Sequence, residues 1–368
     1  MNAYEILKDR NIPELFGNEN HTPSNPEEFE IWRNQVKEML QQKEYGRIPP
    51  KPDHLSVELT DRKENFCAGR ARLDTLMAKC QFEGNEICFP FYAAIPKAAS
   101  AQNKRPAFVL INFTNAVPDR YYPAEEIIDR GYAVFSFGYK DVTLDENEFR
   151  SGVAQFLSPS RKNGDAPGKI AIWAWAAMRV MDYACALDCI DLDNVAVVGH
   201  SRLGKTALVA GGFDERFKYV ISNDSGCSGA AITRGKVGES MERICEVFPH
   251  WFCPSYVNTA QNGGIEALDF DQHFLLALSV PRHLLIGSSK EDAWADPASE
   301  FLSLLAVEPA YGIFGMKGLV HENKIPEAKT YLGDGEAMYH IRTGTHYFSR
   351  EDWQAYMDYI ESCMKKDK

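Results

Sequence analysis

The stretch Val195-Ala196-Val197-Val198-Gly199-His200-Ser201-Arg202-Leu203-Gly204-Lys205-Thr206-Ala207-Leu208-Val209-Ala210-Gly211-Gly212 decides the fold. Its first four residues are apolar and three of them are β-branched, which predicts a strand buried on both faces. Residues 206–210 predict a helix that packs through small side chains. Ser201 falls at the joint. A sharp strand-to-helix turn lifts a serine Oγ clear of the sheet, and the helix N-terminus beside it offers unpaired N–H groups to an oxyanion. The usual form of such a nucleophile elbow is G-x-S-x-G, whereas here Leu203 takes the last glycine position and Gly204 follows it. The same Gly-x-Ser also reads as a plain tight turn capped by serine, so a catalytic reading depends on what the rest of the chain supplies.

Working outward, 368 residues with 45% hydrophobic and 25% charged content suffice for one large α/β domain or two smaller ones. A formal net charge of −12 and a pI near 5.3 argue against nucleic acid or an anionic membrane as a partner. The nine cysteines show no CxxC pair and no zinc-ligand spacing. That fits free thiols in a reducing compartment, with a single bridge through Cys227 or Cys253 left open. The N-terminus lacks a basic region followed by an apolar one, and no run is long enough to span a bilayer. As the sequence stands the expected location is the cytoplasm, or outside the cell if a signal has been removed.

Residues 1–50 are charged and carry several prolines, with one amphipathic run at 26–42 and Asn25 as its cap. They are expected to form an arm with one helix. The runs 55–59, 71–79 and 87–95 predict antiparallel strands at a sheet edge. Strands are then expected at 107–111, 132–137, 195–198, 217–222, 283–287 and 339–342. They alternate with helices at 123–130, 170–187, 206–210, 271–278, 298–307 and 350–365, and a long variable segment occupies 138–168. The alternation predicts an α/β fold: a mostly parallel central sheet with helices on both faces, a three-layer sandwich that binds ligands beyond the carboxyl ends of its strands.

A serine hydroxyl needs a base, and the base needs an orienting acid. In a hydrolase of this architecture the chain order is serine, acid, histidine. His346, in Thr343-Gly344-Thr345-His346-Tyr347-Phe348, lies in a loop between the last strand and the closing helix. His200 adjoins the serine but is expected to point elsewhere on the turn, and His250, His273 and His283 fall on apolar segments that suggest core roles. Two acids compete. Asp292 follows the strand ending at Gly287, and Asp224 follows the strand after the elbow helix; each also reads as a cap of the next helix. No HExxH supports a metal-bound water, and neither G-x-G-x-x-G nor a P-loop supports a nucleotide site.

Gly199-x-Ser201-Arg202-x-Gly204-Lys205, then Asp224-Ser225-Gly226, the stretch from Asp271 to Pro281, Asp292-x-Trp294 and the His346 loop together resemble the glucuronoyl esterase family of carbohydrate esterases. The likeness runs from about residue 106 to the C-terminus. Its Ser-Arg pair with a lysine one helical turn on is not shared by most α/β-hydrolases. Members cleave the ester between 4-O-methyl-glucuronate on xylan and lignin alcohols. The resemblance implies an α/β-hydrolase fold, Ser201 as nucleophile, His346 as base and Arg202 as oxyanion stabiliser through main chain and guanidinium. A permanent charge beside the nucleophile acts where negative charge develops in the transition state. The resemblance also implies Lys205 and Trp294 as sugar contacts, and a sugar-binding glutamate for which Glu239 and Glu246 both qualify. Many members carry glutamate where this chain has Asp224; aspartate is one methylene shorter, which favours Asp292 as the triad acid, with Asp224 supporting or sharing the role.

The expectation is therefore a single α/β-hydrolase catalytic domain at 51–368 that acts on small glucuronate-bearing oligosaccharide esters. It needs no cofactor and no metal, has no nucleic-acid or membrane partner, and works as a monomer. Two rivals remain: an acetylxylan or other carbohydrate acetyl esterase with the same machinery, and a non-catalytic carbohydrate-binding protein on a hydrolase scaffold. The presence of serine, histidine and two acids speaks against the second.

Overall fold

The computed structural model describes residues 2–17, 22–82, 84–158 and 160–366. Among them ten strands make one sheet: β1 (His54–Phe66), β2 (Ala71–Phe82), β3 (Asn85–Pro96), β4 (Arg105–Asn112), β5 (Ala133–Gly138), β6 (Ile190–His200), β7 (Tyr219–Asn223), β8 (His283–Ser289), β9 (Thr330–Leu332) and β10 (Ala337–Arg342). Their order is β1-β2-β3-β5-β4-β6-β7-β8-β10-β9. The six strands from β5 to β10 in that order are mutually parallel, while β1, β2, β3 and β9 pair antiparallel at the edges. The run Val195–Val198 sits in the middle, where Val197 pairs with Val109 on one side and Val220 on the other. β-branched residues flanked by strands and covered by helices lose nearly all contact with water, which is why this run is continuous rather than alternating.

The helices are α1 (Ala3–Asp9), α2 (Pro26–Lys43), α3 (Ala124–Asp129), α4 (Tyr139–Val142), α5 (Ala154–Leu157), α6 (Lys169–Cys185), α7 (Arg202–Phe213), α8 (Met241–Val247), α9 (Pro254–Gln261), α10 (His273–Ala277), α11 (Pro297–Ile313) and α12 (Arg350–Lys366). α2, α6, α7, α10 and α11 contribute to the larger core on one face of the sheet, which holds Trp173 and Trp175. α3 and α12 cover the other face with Trp353, Tyr356 and Tyr359. The result is the expected three-layer sandwich.

Several expectations need correction. The arm has two helices, not one. α1 is too short to show a periodic face; the Asn2 side chain caps it, accepting from Tyr4 N–H at 2.9 Å, and Ala3 is buried in the core. α2 packs Phe29, Val36 and Leu40 into the same core as the sheet. β1 runs on through its charged half because it pairs with β2 along its length, with Arg62 Nε bonded to Asp74 at 2.6 Å. The segment 138–168 contains the short helices α4 and α5 and is tied to α6 by the buried Lys169, whose Nζ donates to Thr143 Oγ1 at 2.9 Å and to the Leu144 carbonyl at 2.8 Å. α11 continues through Pro309, because Ala310 and Tyr311 stay buried beyond it. The nine cysteines are free. Among the described residues no helix is long and apolar enough to cross a membrane.

Candidate active site

Ser201 makes the whole turn between β6 and α7. Its φ is 58° and its ψ is −128°, a conformation that costs a non-glycine residue about 1–3 kcal/mol and persists only where neighbours enforce it. Ser201 N–H donates to the Asn223 carbonyl at 2.8 Å, and the Ser201 carbonyl accepts from Gly204 N–H at 2.9 Å and Lys205 N–H at 3.2 Å. A Cβ on Gly199 would lie 2.1 Å from the Leu203 carbonyl oxygen, and a Cβ on Gly204 would lie 2.9 Å from Ser222 Oγ. This explains the shifted glycine: position 204 crosses the end of β7, whereas Leu203 points into the core. Arg202 N–H, at the first position of α7, has no intrahelical acceptor.

His346 stands over this turn. Its Nδ1 is 2.6 Å from Asp292 Oδ2, and its ring centroid is 4.5 Å from that of His200. Asp292 sits just beyond β8, its Oδ1 accepting Ala295 N–H at 3.2 Å. Burial alone would raise the Asp292 pKa, but the His346 hydrogen bond and charge outweigh it and hold the carboxyl below its ordinary value. His200 is buried with Nδ1 2.7 Å from Asn223 Oδ1; burial, with His346 adjacent, pushes it down to about 3, so it is a neutral platform for the His346 ring. Asp224 is also close, since polar atoms of Asp224, Asp292 and His346 lie within 4.8 Å of one another. Its Oδ2, however, accepts Ser289 Oγ–H at 2.7 Å and lies 3.6 Å from Arg342 Nη2, and its Oδ1 has no hydrogen-bond partner among the described residues. Burial, then the charge of Glu300, raises the Asp224 pKa well above the carboxylate range.

The His346 loop is riveted by Arg342, the last residue of β10, whose role no local sequence pattern marks. Its guanidinium donates to the carbonyls of Thr343 at 2.9 Å, Thr345 at 3.2 Å and Tyr347, and its Nε to Asp352 at 2.9 Å. The Arg202 side chain leans against three rings, those of Trp251 at 4.7 Å, Phe248 at 5.2 Å and Phe113 at 5.9 Å from its Cζ. Its Nη1 is bonded to Asp145. His250 is indeed buried, yet it lies in the wall of the site with Nε2 3.0 Å from Asp145 Oδ1. His273 and His283 have ordinary structural partners, the Pro13 carbonyl at 3.0 Å and Tyr359 Oη at 3.1 Å.

Of the sugar-contact candidates, Lys205 is almost fully buried. Its Nζ donates to the carbonyls of Ser225 and of Cys227, the latter at 2.5 Å, and approaches Glu239 Oε2 to 4.0 Å. Burial lowers its pKa. Glu239 is mostly sheltered, with 13% of its side chain exposed, and its N–H bonds the Trp294 carbonyl at 3.1 Å. That bond sews its loop to the one carrying Trp294, a residue 54% exposed. Glu246 stands apart, 69% exposed and paired with Arg243 on α8 at 2.6 Å.

The model of the family "Glucuronyl esterase, fungi" matches residues 79–315. The chain belongs to the glucuronoyl esterase family of carboxylic ester hydrolases. It is 32% identical to a carbohydrate esterase from an unknown prokaryotic organism, over 90% of this chain and 84% of that protein. It is 25% identical to a 4-O-methyl-glucuronoyl methylesterase of Phanerochaete carnosa, over 84% of this chain and 74% of the relative. Among solved structures, a promiscuous esterase of carbohydrate esterase family 15 from a marine bacterial metagenome superposes with a TM-score of 0.83 at 28% identity, covering 95% of this chain and 96% of that one. A glucuronoyl esterase from Solibacter usitatus does so with a TM-score of 0.86 at 27% identity, covering 96% and 97%. The fold is that of the α/β-hydrolases in this family.

Proposed function

We propose that the protein is a serine esterase that hydrolyses esters of glucuronic or 4-O-methyl-glucuronic acid carried on xylo-oligosaccharides. Ser201 is the nucleophile, His346 the general base and then acid, Asp292 the carboxylate that orients it, and Arg202 the cation at the oxyanion. The observation that carries this reading is the 2.6 Å contact from His346 Nδ1 to Asp292 beside the strained Ser201 elbow. A carboxylate there holds the proton on Nδ1 and leaves the Nε2 lone pair free to receive the Ser201 proton.

Ser201 Oγ attacks the C6 carbonyl carbon while its proton passes to Nε2. The negative charge that gathers on the carbonyl oxygen meets Arg202 N–H and the adjacent guanidinium, which stabilise the tetrahedral state more than the neutral ester. Collapse breaks the ester C–O bond, and the alcohol leaves with the proton from Nε2. Water then repeats the sequence on the acyl-serine and releases the uronic acid. Asp224, whose carboxyl is raised well above the ordinary carboxylate range by burial and the charge of Glu300, supports the site through Ser289 rather than serving as the triad acid. Lys205, Glu239 and Trp294 form the sugar side, with the Lys205 ammonium retaining a donor beyond its two carbonyl bonds.

The test is turnover of methyl and benzyl glucuronate, with acetylated xylose as control. Ser201→Ala is expected to lose about 10,000-fold or more in kcat on the uronate esters. A wild type active on acetylated xylose and inert on uronates would overturn the substrate assignment, and full turnover by Ser201→Ala would overturn the mechanism.

A further inference from the structure

We propose that Asp145 is a positioning residue for the reaction: it holds the Arg202 guanidinium at the oxyanion and so sets kcat without touching substrate. The inference rests on the role of Arg202 given above.

Four donors from three separate parts of the chain converge on this one carboxylate. Oδ1 lies 2.7 Å from Trp251 Nε1 and 3.0 Å from His250 Nε2. Oδ2 accepts the Tyr139 hydroxyl at 2.9 Å and Arg202 Nη1. Only 5% of the Asp145 side chain is exposed. A buried charge is costly unless it is paired and hydrogen-bonded, and an apolar side chain fills a wall at lower cost. Here the protein instead builds a three-donor cradle around a carboxylate whose cationic partner is the arginine beside the nucleophile. Burial by itself would raise the Asp145 pKa, but these donors and the Arg202 charge hold it well below the usual carboxylate range.

The division of labour is geometric. The Trp251 and Phe248 rings, stacked on each other at 3.9 Å, lie against the guanidinium with Phe113, and restrict its sway. Rings do not fix the rotation of a guanidinium in its own plane; a hydrogen-bonded carboxylate does. Asp145 takes Nη1, while Arg202 Nε has no partner among the described residues. An arginine anchored at one end presents its charge already oriented, and no reorganisation is needed when the oxyanion forms.

Asp145→Asn tests this selectively. The Trp251 indole can only donate and is packed in place, so it keeps the amide oxygen on its side, facing Trp251 and His250. The amide NH2 then faces Tyr139, whose hydroxyl can turn to accept, and Arg202, which cannot accept. With benzyl glucuronate, kcat is expected to fall about 10- to 100-fold, as for loss of oxyanion stabilisation, while KM moves less than about twofold. In an Arg202→Ala background the same change is expected to have no further effect on kcat. An unchanged kcat in the wild-type background, or an equal loss in both backgrounds, overturns the proposal. If Asp145→Asn fails to fold, as judged by circular dichroism, rescue reads the same bond: with Asp145 present, guanidinium ion is expected to restore kcat of Arg202→Ala severalfold, and no rescue overturns it. Turnover surviving in Ser201→Ala would instead sink the esterase mechanism itself. An inert Ser201→Ala together with an unaffected Asp145→Asn sinks only the positioning role.

Discussion

Exchanging Asp292 for asparagine separates the two acids most sharply. Asp292 Oδ1 accepts Ala295 N–H at 3.2 Å, and Oδ2 faces His346 Nδ1 at 2.6 Å. In Asp292→Asn the amide oxygen is needed at Ala295, so the NH2 group turns to His346. A donor facing Nδ1 forces that nitrogen to accept, the ring proton moves to Nε2, and Nε2 can no longer take the proton of Ser201. Such a tautomer reversal in a Ser-His-Asp triad costs about 10,000-fold in kcat, or about 5.5 kcal/mol of transition-state stabilisation at about 1.36 kcal/mol per tenfold. Asp224→Asn is the internal control. Burial and the neighbouring Glu300 disfavour its charge and raise its carboxyl well above the ordinary carboxylate range. The amide oxygen keeps the Ser289 bond, so kcat should stay within about fivefold. The assay is steady-state hydrolysis of benzyl glucuronate at pH 7 with both variants and the wild type. Asp224→Asn losing as much rate as Asp292→Asn would refute the reasoning and make Asp224 the triad acid.

Two further outcomes follow from the same geometry. Glu239→Gln is expected to raise KM for glucuronate esters about tenfold, since its sheltered carboxylate lies beside the Lys205 ammonium, whereas Glu246→Gln, an exposed partner of Arg243, should change KM by less than about 1.5-fold; the reverse order in initial-rate measurements would exchange their roles. Glu300 is fully buried and its carboxyl is pushed up to about 7 from 4.5. The folded chain therefore holds a proton that the unfolded chain releases, and the stability this contributes is fully present below pH 4.5 and lost as pH rises through 7. Glu300→Gln keeps both hydrogen bonds, with its amide oxygen to Gly226 N–H and its NH2 to Ser288 Oγ, so the fall in Tm between about pH 5 and about pH 8 should shrink. A fall as steep as that of the wild type, by calorimetry, would show that this carboxyl does not set the alkaline limit.

What the sequence determined by itself is what short-range physics controls. A β-branched run followed by Gly-x-Ser and small helical residues is legible because burial and turn geometry act over a few residues. The alternation of strands and helices then dictated a parallel three-layer sheet, and chain order placed Ser201, the acids and His346 on one rim. The family motif was legible for the same reason, since it is a series of short local patterns from Gly199–Lys205 to the His346 loop. The tertiary structure alone decided which partner each competing residue meets. Asp224 and Asp292 both follow strand ends and both approach His346, but only the relative rotation of two loops aims Asp292 at Nδ1 and Asp224 at Ser289. Glu239 and Glu246 differ by which loop Trp294 binds through its backbone, and no residue pattern records that. Asp145 lies in a segment without periodicity, and its partners Arg202, His250 and Trp251 are more than fifty positions away along the chain. Propensity and period are properties of a stretch, whereas the partner of a buried charge is set by which distant stretches the fold brings within 3 Å, and that is fixed only when the whole core closes.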